Sequence, residues 1–267
     1  MKLYRHILTA LTALALAVLS SCSQVERPDE GEQVAMSYDV VLPDTKAVAA
    51  DGSQINKVWF ALYRPNGELA TNYAPVEFSN GSARCQVVMM RGQSYKIVFV
   101  AQHYKDELTP IYPIDSSNAK ICLPTDPEAN TDKYDLFYGV DEVVEYDGRP
   151  TGSIALDRIV AMVNFNCSDA YATQLSTEGV TQSSITISGA ADGWDLLSGK
   201  VTSGTADLVF SKAEIPATNH LGAAFCFVKE SISTALNLYT AADALVRTIS
   251  VSDAQVDTNK KTNVEIY

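Results

Sequence analysis

From Met36 to Tyr267 the chain divides into short apolar or alternating runs, each closed by turn-forming residues, and no stretch sustains the period of a long helix. Lys57 to Tyr63 sets Val58, Phe60 and Leu62 on one face against Trp59, Ala61 and Tyr63 on the other, then meets Pro65-Asn66-Gly67, a hairpin signal. Val76 to Phe78 and Ala83 to Met90 flank Ser79-Asn80-Gly81 and predict a second hairpin. Arg91-Gly92-Gln93 turns into Ser94 to His103, whose centre, Ile97 to Val100, is apolar on both faces and so predicts a strand in the middle of a sheet. Leu136 to Val144 and Ser153 to Phe165 follow on either side of Asp147-Gly148. The second half continues with Ser184 to Ser188, Asp207 to Phe210, Ala223 to Val228, Ala235 to Tyr239, Leu245 to Val251 and Asn263 to Tyr267, rich in the Thr, Ser, Val and Ile that suit a pleated surface. Short helices are expected near Ser168 to Leu175 and Ala241 to Ala244. The pattern predicts an all-β protein of antiparallel sandwiches. Its length favours two domains, residues 36–150 and 151–267, with the join in the loop Asp147 to Gly152.

The N-terminus has a different character. Lys2 and Arg5 precede an apolar run from Ile7 to Leu19 that ends in Leu19-Ser20-Ser21-Cys22, the layout of a secretory signal too short to span a bilayer. Residues 1–21 read as a signal peptide, and a cysteine directly after the small pair reads as a lipidation site: acyl chains on Cys22 hold a protein at a membrane at ~0.8 kcal/mol per buried methylene. Residues 22–35 are polar and acidic with Pro and Gly, a tether. Loss of residues 1–21 removes Lys2 and Arg5 and no acid, so the net charge moves from −12 to about −14. That balance argues against nucleic acid as a partner.

Cys85, Cys122, Cys167 and Cys226 remain after Cys22. An exported chain can oxidise them, with three possible pairings, but each lies in a strand-like run where cysteine acts as a small buried hydrophobe. No Cys or His spacing suggests a metal, no nucleophile motif is present, and no cofactor is called for. Asp126, Glu128, Asn130 and Asp132 alternate as calcium ligands do, yet Thr131 stands at the turn position and Phe137 where a closing Glu belongs, so a solvated acidic loop is the better reading. Asp141, Glu142 and Glu145 offer carboxylates without a separation to test, and no catalytic residue is assigned; the protein reads as a non-enzyme. Trp194, beside a turn in Asp192-Gly193-Trp194-Asp195, is the aromatic to weigh as a glycan or host-ligand contact, against a ring folded over the sandwich end.

Several segments in order give the chain a resemblance to the fimbrillin-like outer-membrane lipoproteins of Bacteroides-like bacteria, the type V pilin superfamily. They are the Cys22 signal, Ala50-Asp51-Gly52, Ile55 to Tyr63, Arg91 to Phe99, Tyr134 to Tyr138, Leu156 to Ala161 and Asn259 to Val264. The resemblance implies two tandem transthyretin-like Greek-key sandwiches, a lipid anchor in the outer membrane, and a place on the cell surface or in a fimbrium. In polymerising members a protease cuts beyond the first strand, and a strand of another subunit fills the emptied groove. Here the strand is Met36 to Leu42 and the cut falls between Lys46 and Ala47. The chain departs from the arginine-cut pattern, since no Arg lies between Arg27 and Arg64. The partners implied are other pilins, in a homo- or hetero-polymer, or a surface ligand if the protein does not polymerise.

Overall fold

The computed structural model describes residues 31–43, 52–217, 219–229 and 231–267; Cys22, Lys46 and Ala47 lie outside them. The first half forms β1 (Gln33–Val41), β2 (Lys57–Tyr63), β3 (Leu69–Asn72), β4 (Val76–Glu77), β5 (Ser82–Met90), β6 (Tyr95–Gln102), β7 (Ile114–Asp115), β8 (Lys120–Cys122), β9 (Leu136–Val143), β10 (Thr151–Ala155) and β11 (Asp157–Arg158). The second half forms β12 (Ala161–Cys167), α1 (Asp169–Thr177), β13 (Val180–Ala191), β14 (Gly193–Asp195), β15 (Lys200–Val201), β16 (Thr205–Glu214), β17 (His220–Cys226), β18 (Ser231–Thr240), β19 (Leu245–Gln255) and β20 (Lys261–Ile266).

The strands build two sandwiches of the same topology. In the first, the sheet β10-β1-β5 faces the sheet β11-β9-β6-β2-β3; in the second, β20-β12-β17 faces β19-β18-β13-β16. Exchanging β1, β2, β3, β5, β6, β9 and β10 for β12, β13, β16, β17, β18, β19 and β20 converts one order into the other, with the short β4 and β11 added only in the first. Even the parallel pairs correspond, β1 with β10 and β12 with β20. The all-β sandwich expected from the strand spacing is therefore present twice.

Each sandwich has its own core. Met36, Tyr38, Val40, Phe60, Ile97, Phe99 and Phe137 fill the first, and Val163, Phe165, Ile185, Ile187, Phe210 and Leu236 the second. A third cluster joins them. The outer face of β2 and β6, with Trp59, Tyr63, Val98 and Val100, packs on Ile121, Trp194, Met162, Phe225 and Phe227. Cover comes from a small sheet in the order β15-β14-β8-β7, made of strands from both halves. This explains why every residue of β2 is buried, as is nearly all of β6, the central strand that Ile97 to Val100 predicted.

Local signals and tertiary pairing part company in three places. Asn80 and Gly81 both take positive φ, 52° and 77°, in the tight turn their sequence predicts. The turn closes a single antiparallel bridge, Ser79 with Ser82, and the hairpin goes no further: β4 pairs with β2 and β5 with β1, so the chain changes sheet there. Ser153 to Phe165 is three strands, not one, because β10 follows β1, β11 follows β9, and only from Ala161 does the chain join the second sandwich. Strands on both sides of the Asp147 to Gly152 loop thus belong to the same sandwich. The segment 241–244 is a turn with Asp243 at φ 64°, whereas α1 forms as expected, its Tyr171 amide donating to the Ser168 hydroxyl at the N-cap.

Candidate functional site

β1 runs through the middle of its sheet. It pairs antiparallel with β5 from Gln33 opposite Met90 to Val41 opposite Ser82, and parallel with β10 from Ser37 opposite Thr151 to Val41 opposite Ala155. Gln33, Val34 and Ala35, read from the sequence as the end of the tether, already belong to this strand. Alternation does the rest: Met36, Tyr38 and Val40 are 0% exposed in the first core, while Gln33, Ala35, Asp39 and Val41 face solvent.

Two consequences follow from the central position. Without β1, both β5 and β10 would present a row of unpaired backbone donors and acceptors beside an open apolar trough, the arrangement that captures another strand. β10 depends on β1 more heavily, since β1 is its only strand neighbour among the described residues. Side chains fasten β1 as well. The Tyr38 hydroxyl donates to Asp141 Oδ2 at 2.7 Å, and the Tyr38 ring centroid lies 5.1 Å from that of Phe99. Burial first, and the Asp141 carboxylate second, push the Tyr38 phenol well above its ordinary range, so it stays a donor.

Other residues singled out by the sequence have structural positions. Trp194 is only 8% exposed, with its ring 5.7 Å from Tyr138 and 6.3 Å from Phe227. The ring is part of the joining core. Asn130 of the acidic loop is a tie between sheets: it donates to the Ser183 hydroxyl at 3.1 Å and the Glu214 carbonyl at 2.9 Å, and accepts from the Ala223 amide at 2.8 Å. Phe137 is buried in the first core. Asp141 accepts from Tyr38, and Glu142 pairs with Lys96 at 2.8 Å. Cys85, Cys167 and Cys226 are buried and Cys122 is half-buried. Burial pushes Cys85 and Cys226 up to about 12, which keeps both protonated and unreactive. Among the described residues, no group of three or more His, Cys, Asp or Glu is placed to hold a metal.

Sequence reasoning did not find the Asp135–Arg158 pair, which is 2.7 Å from Nε to Oδ1 and buried at both ends. It also missed Gly152 on β10, which lies directly opposite Tyr38. The usable signal was a tyrosine in the middle of an otherwise aliphatic alternation, whose hydroxyl needs an acceptor if the strand is buried.

Solved structures resemble this one over most of its length. A fimbrial assembly protein from Parabacteroides distasonis superimposes with a TM-score of 0.51 at 12% identity, covering 88% of this chain and 92% of that one. A candidate polysaccharide-binding protein from Bacteroides thetaiotaomicron gives 0.53 at 17% identity, covering 88% and 91%. The chain shares their fold. A candidate cell adhesion protein from Bacteroides ovatus matches over the same 88% of this chain and 92% of its own, at 9% identity and a TM-score of 0.50. No family model matches the sequence, and no curated protein does.

Proposed function

We propose that the protein is a non-enzymatic surface component, a fimbrillin-like pilus subunit or accessory adhesin exported as a lipoprotein anchored through Cys22 at the outer membrane, in which β1 is a replaceable strand. A cut between Lys46 and Ala47 separates the lipid and β1 from the remaining body, and a strand of another subunit takes the vacated place between β5 and β10. The observation that carries this reading is the central, doubly paired position of a strand that lies between the lipidation signal and a basic site. The shared fold of fimbrial and adhesion proteins supports it. The next basic residue after Lys46 supports it too, because Lys57 is 6% exposed within β2 and ion-paired with Glu107 at 2.5 Å and Glu77 at 3.2 Å. A protease acting on native protein reaches exposed chain and is excluded from such a strand. In this reading the two domains meet at Ile159 and Val160, between β11 and β12, rather than in the Asp147 to Gly152 loop.

Mild trypsin treatment of the full chain is the test. Removal of a segment ending at Lys46, followed by ladders on SDS gels run without heating, is the expected result. A stable monomer that survives the cut with β1 still seated and forms no ladder would count against polymerisation.

A further inference from the structure

The slot that holds Tyr38 is built around a phenol. On one side Asp141 Oδ2 accepts from the hydroxyl at 2.7 Å, Arg149 Nη2 stands 3.8 Å from the same oxygen, and the Phe99 ring tilts by 51° against the tyrosine ring. On the other, Gly152 sits directly opposite across the parallel pair. A Cβ on Gly152 would stand 2.8 Å from Tyr38 Cε1 and 2.5 Å from Met36 Cε, closer than any side chain tolerates, so the bare backbone there makes room for the ring. The flanking inward positions, Met36 and Val40, are wholly apolar and fully buried.

These two kinds of position discriminate differently. Aliphatic pockets accept many residues of about the right volume. A site built to hydrogen-bond a hydroxyl rejects an analogue that lacks it, because its polar partner is left unmatched. We infer that the Asp141, Gly152 and Phe99 slot reads the strand that takes the place of β1, admitting one with tyrosine opposite Gly152 between two aliphatic or methionine residues at alternate positions. This rests on the strand-exchange reading above. Among the described strands the pattern recurs in β9, as Leu136, Tyr138 and Val140, but β9 is held between β6 and β11 and cannot leave. β20 turns Val264 and Ile266 inward and offers no tyrosine. The occupant is a strand of another polypeptide that carries the pattern.

The test uses full-length protein cut after Lys46 and labelled peptides spanning Gln33 to Val41, with tyrosine or phenylalanine at position 38, followed by fluorescence anisotropy. The tyrosine peptide is expected to bind about tenfold more tightly, the size of one hydrogen bond to a carboxylate at a partly wet site. That preference should collapse in Asp141→Ala protein and persist in part in Asp141→Asn, which keeps an acceptor oxygen and guards against simple misfolding of the alanine variant. Equal binding of the two peptides, or binding of a Lys261 to Tyr267 peptide as tight as that of the tyrosine peptide, would overturn the inference and leave strand exchange standing. Failure of every peptide to enter the cut protein would remove both.

Discussion

Replacing Arg158 by alanine is expected to destabilise the protein by about 3–5 kcal/mol, the usual loss when one partner of a buried ion pair is removed. The guanidinium meets Asp135 in two parallel bonds, Nε to Oδ1 at 2.7 Å and Nη2 to Oδ2 at 2.9 Å. Its carbon sits 4.9 Å from the centroid of the Phe137 ring, and Nη1 donates to Asn259 Oδ1 at 3.4 Å. Asp135 is 0% exposed and Arg158 2%. Alanine would therefore strand a carboxylate in a medium that cannot solvate it. The pair also links the end of the first sandwich to the turn before β20, so the loss should appear as a single cooperative shift in urea denaturation. Arg158→Met combined with Asp135→Leu should recover much of the stability, because it removes both charges together. A loss below about 1 kcal/mol in the Arg158→Ala variant would mean that the pair is not buried as described.

Trp194→Ala is expected to cost about 3–5 kcal/mol for a different reason, the cavity and lost transfer energy of a large core side chain. Trp194 pairs with Ile121 of β8 on one side and Val201 of β15 on the other, and its ring centroid is 5.7 Å from that of Tyr138 and 6.3 Å from that of Phe227. Its Nε1 has no hydrogen-bond partner among the described residues, so little of the effect is polar. The residue sits where strands of both halves cover the outer face of β2 and β6, and its loss should loosen the contact between the sandwiches as well as lower the global stability. Thermal denaturation would show this as a lowered Tm. Wild-type stability in the variant would contradict this core position of the ring.

Strands with a strong local signature were legible in the sequence. The two-faced apolar run of β6, the Asn80-Gly81 turn and the short helix α1 each depend on neighbours in the chain, and each is found where expected. What depends on the partner strand was not legible. Val76 to Phe78 and Ala83 to Met90 flank a sound hairpin turn, but β5 puts Ala83, Cys85, Val87 and Met89 inward beneath a different sheet from β4, and only the packing of the whole sandwich decides that. The break of Ser153 to Phe165 at Leu156 and at Ile159-Val160 has the same origin, since the polar and aliphatic residues there alternate without a turn signal. The site was half visible. A buried alternation in β1 could be read from Met36, Tyr38 and Val40, whereas Asp141 and Gly152 lie about a hundred residues further on and become its neighbours only through the pairing of β1 with β10 and the facing of the two sheets. Trp194 was open to two readings, a ligand contact or a packed ring, because its burial depends on β2, β6 and the second sandwich, which meet over it in the joining cluster only through tertiary packing.

The central claim, that β1 is a leader strand removed before assembly, is tested most directly by the N-terminal residue of the protein isolated from cells in polymeric form. Ala47 at the N-terminus, with residues up to Lys46 absent, is the predicted result. An acylated Cys22 at the N-terminus of every polymeric molecule, with β1 still covalently attached, would contradict it.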